Sequence, residues 1–180
     1  NSALQYFVKG KSSNCIALIF QIYNETPTPD NVILMETFPI DYPRVLEAFE
    51  FLQDWDARYH FITELGEKLP PYPDDERLDL YLVPECMSTV YIRALRGENG
   101  NYSFRGDCDT STVKGVVAIL MAMFNDKSAS DISEFDADNE FEKLGLFEHL
   151  SPSRHVGVYA MVQRVKRQVA AIEASVGKPA

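Results

Sequence analysis

From Pro43 onward, apolar residues recur with a helical period. Val45, Leu46, Phe49 and Leu52 share one face of a helix predicted over 43–53, and Pro43 suits its first turn, where a missing N–H costs no bond. Asp54 is placed to cap a second helix over 55–69, with Trp55, Tyr59, Ile62 and Leu65 on one face, before Pro70-Pro71-Tyr72-Pro73 forbids continuation. The period then drops to two. A short extended segment is expected over 78–83. A strand over 88–96 follows, in which Val90, Ile92 and Ala94 alternate with Tyr91, Arg93 and Leu95. Gly97-Glu98-Asn99-Gly100 turns the chain into a further strand over 101–105. Helical spacing returns after Asp109 or Thr110, either of which can cap a helix carrying the stripe Val113, Val116, Val117, Leu120, Met121 and Phe124. Ser128-Ala129-Ser130-Asp131 has the capping-box form and starts a short helix ending near Phe135; another is expected over 138–147. Ser151 as N-cap and Pro152 at the first helical position open the last helix, with Val158, Val162, Val165, Val169 and Ile172 as its apolar face. Helices, a small antiparallel sheet of about three strands, then helices again make an α+β fold.

Composition narrows the classes of function. The chain has 180 residues, of which 46% are hydrophobic and 24% charged, a globular composition with enough length to bury a core. A formal charge of −10, with no basic stripe interleaved with aromatics, repels phosphate backbones and argues against nucleic acid; it suits a partner with a complementary basic patch. The apolar run from Cys15 to Phe20, continued by Ile22-Tyr23, is too short to cross a bilayer, so no membrane role is expected. Three cysteines, Cys15, Cys86 and Cys108, indicate neither a disulfide framework nor a paired-cysteine metal site. A reducing compartment fits: the cytoplasm, or an organellar stroma or matrix in a eukaryote. Residues 1–40, broken by Thr26-Pro27-Thr28-Pro29, lack an amphipathic period and are expected to be an N-terminal extension; 41–176 form the functional domain and 177–180 a tail.

Candidate chemistry centres on Cys86, in a short turn before the alternating strand. A thiol there can be presented to a partner as a reactive thiolate, or it can be a small hydrophobe at a strand end. The residues alone leave both readings open. None of His60, His149 and His155 makes an obvious pair with it, as a cysteine hydrolase would require. Cofactor and hydrolase motifs such as GxGxxG, the Walker loop, GxSxG and HExxH are absent. Asp107-Cys108-Asp109 supplies too few ligands for a metal and reads better as the start of a helix, with Cys108 a small turn residue. Arg154 falls in the first turn of the last helix, where the macrodipole disfavours a cation, so an anionic partner or an ion pair is expected to offset that cost.

Several motifs in order resemble the SufE family of sulfur acceptors. They are Trp55-Asp56-Ala57-Arg58-Tyr59, the stretch from Ile62 to Pro70, and Cys86-Met87-Ser88-Thr89-Val90-Tyr91. Gly106-Asp107-Cys108-Asp109 then leads into Val113-Lys114-Gly115-Val116, and Leu150-Ser151-Pro152-Ser153-Arg154 is followed by Gly157. The likeness spans about 43–173. It implies a SufE/IscU-like fold, and a protein that stimulates a pyridoxal-phosphate-dependent cysteine desulfurase and accepts its sulfur on Cys86. The persulfide would then pass to an iron–sulfur scaffold. It further implies that Asp109 helps fix the resting Cys86 loop and that Arg154 stabilises that loop or the persulfide anion. No cofactor of its own and no metal are implied, the pyridoxal phosphate belonging to the desulfurase; a monomer or weak dimer is expected.

Three positions depart from the family. Glu85 stands where glycine commonly precedes the cysteine, Met87 where glutamine follows, and Tyr91 where tryptophan is usual. Glycine permits positive φ without strain and glutamate does not, and an adjacent carboxylate repels an anionic sulfur. The alternative to a sulfur carrier is a module that binds and regulates a desulfurase without carrying sulfur.

Overall fold

The computed structural model describes residues 41–176; the expected extension at 1–40 and tail at 177–180 lie outside them. In chain order the elements are α1 (Tyr42–Phe51), α2 (Trp55–Glu67), a 3₁₀ turn (Asp74–Glu76), β1 (Val90–Arg96), β2 (Tyr102–Cys108), α3 (Ser111–Phe124), α4 (Ala129–Glu134), α5 (Ala137–Lys143), α6 (Leu146–His149) and α7 (Pro152–Val176). The fold is α+β. No helix among the described residues is long and apolar enough to cross a membrane.

Local signals set most helix starts. Asp41 accepts from the Arg44 N–H at 3.1 Å, Asp54 from the Ala57 N–H at 2.8 Å, and Ser128 and Asp131 form the expected reciprocal capping box. The predicted helix over 138–147 is two helices, because Gly145 adopts φ 62° and ends the first run. Pro152 opens α7 as expected. Its Val158, Val162, Val165 and Val169 are buried, while Ile172 is half-buried.

The centre is α3, in which every residue from Gly115 to Phe124 is buried. A helix apolar on all sides must be enclosed, and α2 covers one side while β2 covers another. Glycines let α2 and α3 approach: a Cβ on Gly66 would stand 2.7 Å from the Gly115 nitrogen, and one on Gly115 would overlap the Ile62 carbonyl.

The sheet has two strands, paired antiparallel from Val90↔Cys108 to Arg96↔Tyr102, rather than about three. The segment 78–83 contributes one bridge, Leu82 to Tyr91, with Val83 N–H donating to Val90 O and Ile92 N–H to Tyr81 O, both at 2.9 Å. Its first half curls into turns, Tyr81 N–H bonding Leu78 O at 2.8 Å, so no longer ladder forms. The rest of the β1 edge is closed by a side chain of α7: Gln168 accepts from the Ala94 N–H at 3.0 Å and donates to Ile92 O at 2.7 Å. Val90, Ile92 and Ala94 face the core opposite Tyr102, Phe104 and Cys108. The outer face carries Tyr91, Arg93, Arg105 and Asp107, covered by the segment around Tyr72 to Arg77.

Candidate functional site

The chain reaches Cys86 through a turn closed by the Cys86 N–H donating to Val83 O at 3.2 Å. The thiol is half-buried and rests on α7 at Gly157, where a Cβ would come within 3.1 Å of Sγ. Met87, the next residue, is 89% exposed. One side of this turn packs on a helix while the other is open to a partner.

Asp109 holds the far end of the turn. Thr89 N–H donates to its Oδ1 at 3.1 Å, the Asp109 N–H returns a bond to Thr89 O at 3.3 Å, and the Thr110 hydroxyl reaches the same Oδ1 at 3.1 Å. The bonds from Thr89, followed by that from Thr110, hold the Asp109 carboxyl below the usual carboxylate range. Ser88 and Thr110 add a hydroxyl pair at 3.0 Å. Thr110 occupies the N-cap of α3 but makes no side-chain cap bond, its hydroxyl being used to tie the loop. Thr110 is thus the N-cap by position, as the sequence allowed, but without a side-chain cap bond, and the side chains of Asp109 and Thr110 both anchor the Cys86 loop.

Cys86 and Arg154 line one pocket of about 430 Å³, enclosed by the turn and the starts of α3 and α7. Asp109 is not among its lining residues, whereas its neighbour Thr110 is. Val113, Val116, Val158 and Met161 make the pocket apolar, and among the described residues Cys86 and Arg154 are the only titratable groups lining it. Both helices begin at its wall, through Thr110 and Thr112 on one side and Ser151 and Ser153 on the other. Helix N-termini carry partial positive charge, so two of them and an exposed guanidinium converge where an anion would be stabilised. No described carboxylate pairs with Arg154, so the cost of a cation in that first turn is not offset by an ion pair.

The departures from the family have local explanations. Glu85 does not require the left-handed backbone, since Asp126 is the only described non-glycine residue with positive φ. Its carboxylate points to α7, 3.7 Å from Arg167 Nη2. Tyr91 packs on Tyr72 with ring centroids 5.9 Å apart, and the Arg77 guanidinium lies 5.6 Å from its ring.

Two of the three histidines are engaged elsewhere, and His60 is an exposed residue of α2. His155 Nε2 is 2.7 Å from Phe147 O, and His149 stacks on Trp55 with centroids 3.6 Å apart. Among the described residues, no histidine or carboxylate lines the Cys86 pocket. Cys108 ends β2, buried; burial pushes its thiol up to about 11, with Asp109 and Cys86 adding to the effect. Asp107 is held by Arg77 at 2.8 Å and Lys114 at 2.7 Å. The Gly157 seat and the Arg167 contact join residues far apart in sequence, and no local spacing signals either; only the family-like position of Gly157 hinted at a role.

Residues 43–169 match the SufE family model, described as an Fe-S metabolism associated domain. An uncharacterized SufE-like protein of Rhizobium meliloti is 37% identical over 128 residues, covering 69% of this chain and 91% of that protein. One from Rhizobium etli is 37% identical over 134 residues, covering 73% and 90%. A hypothetical protein from Thermus thermophilus, solved in solution, superposes with a TM-score of 0.61 at 24% identity, over 74% of this chain and 96% of that one, and so shares the fold.

Proposed function

The chain belongs to the SufE family, associated with iron–sulfur metabolism, and from that premise we propose that Cys86 accepts sulfane sulfur from a pyridoxal-phosphate-dependent cysteine desulfurase. The Cys86 thiolate attacks the outer sulfur of the desulfurase's persulfide. The S–S bond breaks, the desulfurase cysteine leaves as a thiolate, and Cys86 holds S–SH, with no net redox change. A scaffold thiolate then repeats the exchange, or a reductant removes the sulfur, during iron–sulfur cluster assembly. The protein acts with its partner and not as an independent hydrolase.

The observation that carries this reading is the pocket beside Cys86. It has room for an added sulfur, an apolar lining that limits access by water, and two helix N-termini with Arg154 to stabilise a persulfide anion. A hydrolase would need a base there, and the described lining residues supply none. Asp109, through Thr89, keeps the loop in register with the mouth of the pocket.

Intact-mass measurement after incubation with a desulfurase, pyridoxal phosphate and cysteine tests the proposal. One added sulfur, lost in Cys86→Ser and reduced in Arg154→Ala, is expected. Stimulation of the desulfurase that survives Cys86→Ser, with no sulfur on the wild-type chain, would instead identify a regulatory module.

A further inference from the structure

The approach to Cys86 is held from α7 by side chains rather than by a strand. Tyr81 O and Val83 N–H face β1, and backbone alternation turns the carbonyls of Leu80 and Leu82 the other way. Arg164 takes both. Its Nη1 donates to Leu80 O at 3.2 Å and its Nη2 to Leu82 O, so one guanidinium spans two carbonyls as a neighbouring strand would. To do so it buries its Nε without a partner, giving up hydration there. Seven residues earlier on α7, close to two full turns and therefore on the same face, Gly157 seats the Cys86 thiol. Arg167, one turn later, meets Glu85, but both side chains are about half exposed and such pairs contribute little.

We infer that Arg164 is a positioning residue for Cys86: it clamps the segment at Leu80 and Leu82 to α7 and so keeps the thiol seated on Gly157 over the pocket. The inference deepens the proposed function and rests on it for its biological meaning. Without the clamp, the segment's backbone keeps two ladder bonds to β1, beside the Arg93 guanidinium over the Tyr81 ring and the buried Val83 side chain. Nothing then bonds its outer carbonyls to α7, and the turn can lift from the helix. Arg164 donates to backbone, so its effect acts through the turn and not on the sulfur itself.

The test measures iodoacetamide labelling of Cys86 in the native full chain, peptide by peptide, with no desulfurase present. Arg164→Met keeps the aliphatic stem and removes every donor; it should label Cys86 roughly tenfold faster or more, as expected for losing charge-assisted bonds to two carbonyls. Arg164→Lys, which keeps a charged donor, should restore much of the protection. Amide exchange at Val83, Cys86 and Ile92 should quicken in Arg164→Met, while α3 amides and Cys108 labelling stay as in the wild type. If Arg164→Met does not fold, Arg164→Gln, a shorter neutral donor, should show the same direction. Unchanged Cys86 labelling overturns the inference, and so does a rise at Cys86 matched by α3 exchange and Cys108, which would mark general destabilisation. Faster labelling in the variant with no sulfur on wild-type Cys86 would overturn the carrier reading and leave the clamp standing.

Discussion

Cys86 and Cys108 carry the same side chain in opposite circumstances. Cys108 is 6% exposed, its Sγ lying 3.7 Å from Asp109 Oδ1 and accepting the Thr110 N–H at 3.4 Å. Burial, joined by the nearby Asp109 charge, pushes its thiol up to about 11, so it stays protonated at pH 8 and lacks the thiolate that alkylation needs. Native protein at pH 8 should therefore label at Cys86 well before Cys108, and unfolding in urea should abolish the difference; equal native rates would contradict the buried placement. Residue types alone left Cys86 between packing and chemistry, and it was the ordered motifs of the family resemblance that pointed to Cys86, Asp109 and Arg154 as candidates. The sequence could not show that Glu85 turns its charge to Arg167, or that the Thr110 hydroxyl bonds Ser88 instead of the α3 backbone, because both contacts are made by tertiary folding.

At the scale of elements, periodicity located the helices because each buries a continuous stripe, and it erred where backbone or tertiary pairing overrides the pattern. Gly145 divides one predicted helix in two, and β2 runs on to Cys108 through Gly106 and Asp107, poor strand formers kept extended by their pairing with Ile92 and Tyr91. The strand expected over 78–83 makes a single bridge to β1, since its first half curls into turns, and Arg164 takes the carbonyls on its outer edge. Helix spacing is the other element-level feature that a stripe of apolar residues does not reveal. Gly115 stands where a Cβ would overlap the Ile62 carbonyl, and that atom is backbone, unable to swing aside. Gly115→Ala removes a helix-weakening glycine, yet it must push α2 from α3 through the most buried part of the core. The steric cost should win, for a net loss of about 1–3 kcal/mol in urea unfolding, as overpacked cores show. Unchanged or raised stability would mean that the helices separate freely. Because α3 also starts at the pocket wall, the same variant should loosen the Thr89–Asp109 tie.

Across the whole molecule, two kinds of cohesion meet at the sheet. Its inner face is apolar, whereas its outer face is closed by charge: Glu76 pairs with Arg93 and Arg105, and Asp107 with Arg77 and Lys114. The Asp107 side chain is 14% exposed, so this pair is screened less than a surface one. Burial alone would raise its pKa, but hydrogen bonds from Lys114 and Arg77 outweigh that and hold the carboxyl below 3.8. The unfolded chain then takes up the proton first. The contribution is fully present above 3.8 and is lost as pH falls through the lower folded value. Net charge acts the other way in a milder range, because a chain carrying −10 is relieved of self-repulsion on approaching its pI of about 4.7. Stability measured by urea midpoint should hold or rise slightly from pH 7 to 5 and fall below about 3.8. Asp107→Asn should lower the midpoint at pH 6 and flatten the acid limb, since the group that titrates there is gone. An acid limb of unchanged steepness in Asp107→Asn would assign the loss to other carboxylates.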